Sequence, residues 1–127
     1  RDNNGRSAVL EIVTPWDGTE YVVADGLPGP VAPLWRTEAD FFSPFIAGAQ
    51  RLPNGNTLVC VGTQGRLLEY TAEGDLVWDY TSPVGPDGPL DQGEPVGEVP
   101  IQVFRATRIP LDHPGLPPLE AGDPIEL

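Results

Sequence analysis

Between residues 48 and 83 the apolar positions fall into four short runs separated by residues that favour turns. The first run, residues 49–53, leads into Asn54-Gly55, a pair that tolerates positive φ and predicts a two-residue hairpin turn into residues 56–61. Residues 62–65 supply the next reversal, residues 66–71 alternate in character, and Glu73-Gly74 turns the chain into residues 75–81. In that last run Leu76, Trp78 and Tyr80 share one face and Val77 and Asp79 the other, because successive side chains on a strand point to opposite sides. The pattern predicts one antiparallel four-stranded meander over residues 49–81, with no helix in it.

An imperfect copy of this unit lies upstream. Ala8-Val9-Leu10-Glu11-Ile12 resembles Arg66-Leu67-Leu68-Glu69-Tyr70, and Pro33-Leu34-Trp35-Arg36 resembles Leu76-Val77-Trp78-Asp79. The complete meander takes about 35 residues, close to the 40–45 residue period of a propeller blade. The expected fold is therefore all-β: about two four-stranded blades plus a closing strand of a β-propeller. Residues 1–47 are assigned to the second half of one blade, with residues 15–30 as a Gly- and Pro-rich surface loop inserted between its strands. Residues 48–83 form a complete blade, and residues 84–100 an acidic, Gly/Pro-rich loop. Residues 101–127 hold the closing strand, over 101–109, and a Pro-rich tail that cannot form a central strand. Trp35 and Trp78 occupy equivalent places in the repeat, which predicts packing between adjacent blades.

Composition agrees with strands: 16 prolines and 15 glycines interrupt the chain too often for long helices. A net charge of −12 with only seven Lys plus Arg excludes nucleic acid as a partner, since binding a phosphate backbone needs clustered cations. Cys60, the single cysteine, sits in the apolar run Thr57-Leu58-Val59-Cys60-Val61 and is expected as a buried thiol, with no disulfide and no cysteine metal cluster. Asp87, Asp91, Glu94 and Glu98 lack the spacing of a calcium loop, so residues 86–98 are read as solvated; no metal and no cofactor are assigned. No stretch approaches the roughly 20 apolar residues of a membrane span. Arg1-Asp2-Asn3-Asn4-Gly5 has neither an initiator methionine nor a signal segment, and a processed or truncated N-terminus is the expectation.

Gly48-Ala49-Gln50-Arg51-Leu52-Pro53-Asn54-Gly55-Asn56-Thr57-Leu58-Val59, followed by Gly65-Arg66-Leu67-Leu68-Glu69-Tyr70-Thr71 and Val77-Trp78-Asp79-Tyr80, resembles a blade of the arylsulfotransferase-like propellers. Val103-Phe104-Arg105-Ala106 with Asp112-His113-Pro114-Gly115-Leu116 resembles that family's closing segment, so the likeness points to its C-terminal portion. The resemblance implies a six-bladed propeller, secreted to the periplasm or cell surface, whose enzymes move a sulfuryl group from a phenolic sulfate ester to a phenol. They do so through a channel histidine, with His and Arg side chains neutralising the sulfate. Here the place of the channel histidine holds Phe45-Ile46-Ala47-Gly48-Ala49, so no catalytic residue is carried over. His113, the only histidine, lies in a Pro-rich turn and is read as structural. Arg105 and Gln50 remain as channel-lining candidates for binding. Their alternatives are an ion pair with a structural carboxylate for Arg105 and a bond to neighbouring backbone for Gln50. Two functions follow: part of a propeller that transfers sulfuryl groups with catalytic residues outside this chain, or a non-catalytic binding or scaffolding subunit of an extracytoplasmic assembly. Either needs the remaining blades as partner, from another chain or from a cleaved N-terminal portion.

Overall fold

The computed structural model describes residues 5–117 apart from 25, 31, 39, 40, 92 and 97–99. Among these residues the chain is all-β, with four antiparallel sheets, none of them closed. β1 (Ala8–Glu11) pairs with β4 (Trp35–Glu38), and β2 (Val23–Ala24) with β3 (Leu27–Pro28) inside the intervening insertion. The main sheet is the meander β5 (Ala47–Arg51), β6 (Thr57–Val61), β7 (Arg66–Tyr70) and β8 (Leu76–Thr81), hydrogen-bonded in that order. β9 (Val84–Gly85) and β10 (Gly88–Pro89) make a small hairpin in the acidic connection. Among the described residues a three-residue 3-10 helix, Gly62–Gln64, takes the reversal between β6 and β7, inside the span where the pattern predicted no helix.

Burial follows position in the sheet. All five residues of β6 are buried, because a central strand covered on both faces has no use for alternation, whereas β8 at the edge is exposed along nearly its whole length. A bulge between Glu69 and Tyr70 separates the pair Glu69–Trp78 from Tyr70–Leu76, taking up Val77 as the extra residue. One face of the main sheet carries Val59, Val61, Leu68 and Tyr70, which form the core with Phe41. Val9 of β1 and Trp35 of β4 pack against that cluster, so the β1–β4 sheet lies on this face.

The hairpin at Asn54-Gly55 differs from the expected two-residue turn. Leu52 N–H donates to Asn56 O at 2.8 Å and Gly55 N–H to Leu52 O at 3.0 Å, which makes a loop of Pro53, Asn54 and Gly55. A two-residue loop would make Pro53 and Asn56 the closing pair, and proline has no N–H to give it. The fixed φ of Pro53 suits the first central position of a type I turn, and Gly55, at φ 88°, then adopts the positive φ that returns the chain to the ladder. The loop between β7 and β8 repeats this geometry, with Thr71 N–H to Asp75 O at 2.9 Å and Gly74 N–H to Thr71 O at 3.1 Å.

Residues 101–109 do not form the expected strand of a ladder. The segment is held by Val103 N–H to Gly62 O at 2.9 Å and crosses the second face of the main sheet, where Cys60 Sγ lies 3.6 Å from Val103 O. The neighbouring β5 meets it through a side chain, described below, instead of through its main chain. Its start is tightly seated: Ile101 is buried, and a Cβ on Gly62 would sit 2.0 Å from Ile46 O and 2.5 Å from Val103 O. In the insertion Trp16 bridges Tyr21, their rings edge to face at 5.1 Å, and both are exposed. Glu98 and residues 118–127 of the Pro-rich tail lie outside the described residues.

Candidate functional site

Alternation along β5 sends neighbouring side chains in opposite directions. Arg51 points toward the β1–β4 sheet, where Glu11 and Trp35 are cross-strand partners. Its Nε donates to Glu11 Oε2 at 3.1 Å, a second nitrogen meets the same carboxylate, and Nη1 donates to Gly55 O at 2.7 Å. The guanidinium also lies 4.6 Å over the Trp35 ring, a cation–π contact. Trp35 Nε1–H in turn donates to Ala72 O at 2.7 Å, in the loop between β7 and β8.

Gln50 points the other way, toward residues 101–110. Its Nε2 donates to Arg108 O at 3.1 Å and its Oε1 accepts from Arg108 N–H at 2.8 Å, so one side-chain amide satisfies both main-chain groups of Arg108. The Arg108 side chain then reaches Glu69 Oε2 at 2.7 Å and lies 5.4 Å from the centre of the Trp78 ring. Glu69 and Trp78 are cross-strand partners, as Glu11 and Trp35 are. The arginine–glutamate–tryptophan arrangement therefore occurs twice, each time with the arginine on the following segment of chain.

Glu69 is the buried carboxylate of the pair. Hydrogen bonds from Asn56, at 2.7 Å, and Asn54, together with the charge of Arg108, hold its carboxyl below the usual range against the opposing effect of burial. Asn54 and Asn56 belong to the hairpin that follows β5, so the loop chemistry that closes the hairpin also prepares the carboxylate for Arg108.

A groove of about 680 Å³ runs between β5 and residues 104–107, and both channel-lining candidates, Gln50 and Arg105, line it with Phe104. The amide of Gln50 is already engaged by Arg108 backbone. Arg105 is exposed and has no ion-pair partner among the described residues. His113 does not line the groove: it is exposed, and its Nδ1 accepts from Gly115 N–H at 3.1 Å within its own turn. Cys60 is buried, and desolvation pushes its thiol up, away from the reactive thiolate. Among the described residues no three His, Cys, Asp or Glu side chains gather as a metal site. Among its described lining residues the groove offers the Arg105 cation beside the exposed Phe104 ring and the Thr107 side chain, and no histidine, cysteine or carboxylate.

Sequence reasoning singled out Arg105 and passed over Arg51, Arg108, Glu11 and Glu69. The signal was present: Ala49-Gln50-Arg51-Leu52-Pro53 aligns with Ala106-Thr107-Arg108-Ile109-Pro110, with Ala, Arg and Pro in common. Residues 101–110 thus stand to the main sheet as β5 stands to the β1–β4 sheet. No protein-family model matches the sequence, and no curated protein or solved structure matches it.

Proposed function

We propose that the chain contributes consecutive blades to an arylsulfotransferase-like β-propeller in an extracytoplasmic setting, and that its own residues build the frame and not the reacting centre. The observation that carries this reading is the repeated latch: Arg51 on Glu11 and Trp35, then Arg108 on Glu69 and Trp78, each joining one sheet to the segment of chain that follows it. A unit that docks on its predecessor by a fixed rule is what a blade is. In this reading β5 and residues 101–110 are neighbouring inner strands, the groove with Arg105 faces the channel, and sulfuryl transfer between phenolic compounds depends on groups outside residues 1–127.

The second reading, a non-catalytic binding or scaffolding module, draws on the groove itself, whose described lining holds a cation and no histidine, with His113 tied into its own turn. Both readings require further blades. Sedimentation and unfolding of residues 1–127 test this: association, or a broad transition sharpened by added blades, is expected. A soluble monomer with a sharp cooperative transition would refute the propeller reading. Sulfuryl transfer by the assembled propeller from a phenolic sulfate to a phenol separates the two functions.

A further inference from the structure

The two latches share the same three residue types and differ in what surrounds them. At the first, Trp35 is half-buried and its indole N–H is held by Ala72 O; at the second, Trp78 is more exposed and its indole has no acceptor among the described residues. Leu52, after Arg51, is 5% exposed, whereas its counterpart Ile109, after Arg108, is 51% exposed. Thr37 and Tyr80, two residues beyond the tryptophans, are 6% and 42% exposed. Trp78 and Tyr80 stack on each other at 5.7 Å on this open face.

What covers the first set is known residue by residue. Leu52 is closed over in the hairpin that leads into β6, Val9 and Trp35 pack on residues of β6 and β7, and Ala72 belongs to the loop before β8. We infer that the second face, over Leu67, Trp78 and Tyr80, is the docking surface for three further antiparallel strands of the β6–β7–β8 type, the first of them pairing with the main-chain groups of residues 104–109 that Gln50 does not already hold. The inference rests on the propeller reading for its biological setting, but its geometry comes from the repeat alone. The occupant's pattern follows: β-branched or aliphatic residues at the places of Val59 and Val61, and a loop carbonyl at the place of Ala72 O, poised to accept from Trp78 Nε1–H. Residues 118–127 are too few to supply strands that occupy residues 54–82 here. A second copy of the chain fits less well, because among the described residues its β1–β4 sheet has two strands where three are needed, and its β6 is already paired with its own β5.

The probe is the chain's own repeat. A polypeptide of residues 54–82, with its tryptophan changed to phenylalanine, is added to full chain 1–127, and hydrogen exchange of residues 103–109 and quenching of Trp78 fluorescence are followed. Exchange slowed by about tenfold or more at those amides, with Trp78 shielded, is expected. Should the free polypeptide not fold, the same residues are grafted directly after Pro110, where the alignment of Pro53 with Pro110 sets the register. Unchanged exchange in both formats, protection of β1 instead, or equal protection on adding excess chain alone would each overturn the inference. A cooperative monomer of the isolated chain would refute the propeller yet leave this test standing.

Discussion

Replacing Glu69 by Gln removes the charge that faces Arg108 while leaving an acceptor for Asn56, so it reads the latch separately from the hairpin. The side chain of Glu69 is 7% exposed and that of Arg108 44%. An exposed ion pair contributes about 0.2–1 kcal/mol, and breaking a buried one costs about 3–5 kcal/mol. With the guanidinium nearly half in water the cost belongs near the lower limit, at about 1 kcal/mol, or a roughly fivefold change in a local equilibrium. Glu69→Ala also strands the Asn56 amide, adding about 1 kcal/mol for a lost hydrogen bond. The reporters are the amides of Val103, bonded to Gly62 O, and Arg108, bonded to Gln50 Oε1. Their hydrogen exchange is expected to accelerate roughly fivefold in Glu69→Gln and about thirtyfold in Glu69→Ala, with β6 amides unaffected in the first. Because the folded carboxyl titrates below its ordinary 4.5, the latch is complete above about that pH and is lost as pH falls through the lower folded value. Arg108 exchange, corrected for intrinsic chemistry, is therefore flat from pH 7 to 5 and rises below. An Arg108 amide indifferent to both substitutions and to acid would refute the latch.

Gly62→Ala is expected to cost at least about 2 kcal/mol and to release residues 101–106, since its Cβ would collide with Ile46 O and Val103 O; exchange at Val103 checks it. Glu11→Gln removes the equivalent charge where both partners are about a third exposed, and is expected to cost no more than about 0.5 kcal/mol, less than Glu69→Gln in the same assay. Arg66→Ala, which loses a two-pronged contact with half-exposed Asp79, is expected to lower the unfolding free energy of the assembled protein, measured by urea titration, by no more than about 1 kcal/mol. Chain 1–127 alone is expected to turn over no phenolic sulfate; turnover abolished by His113→Ala would contradict this.

The main sheet was legible because each of its signals is local. Turn residues sit between short apolar runs, and period-two alternation on β8 places Trp78 and Tyr80 on one face and Asp79 on the other, where it meets Arg66. The exact hairpin was not, because Asn-Gly is a strong two-residue signal only when the residue before it can donate an N–H, and Pro53 cannot. Residues 101–109 read as a strand from their apolar pattern, yet a ladder depends on a neighbour that the pattern does not specify. The latches escaped notice for a related reason: Arg51 meets Glu11 across 40 residues, and Arg108 meets Glu69 across 39, so only alignment of the repeats connects them. Arg105 drew attention as the cation beside Phe104, while Arg108, three residues on, carries the contact.

The latch also has a direction. Each arginine lies on the segment of chain that follows the sheet carrying its glutamate and tryptophan, so the contact joins unlike faces. Contacts of that kind propagate until a rotation closes them into a ring or a cap ends them. Apolar side chains are exposed on both sides of the paired sheets: Leu10 of β1 is more than half exposed on the face away from the main sheet, and Trp78, Tyr80 and Ile109 are exposed on the opposite side. Burying such exposed apolar side chains favours association. Charge adds selectivity that apolar burial lacks, because Glu69, already held by Asn54 and Asn56, presents a fixed anion that only a cation in the right register can meet. In the propeller reading proposed above, burial supplies the drive to stack and the repeated ion pair sets the register.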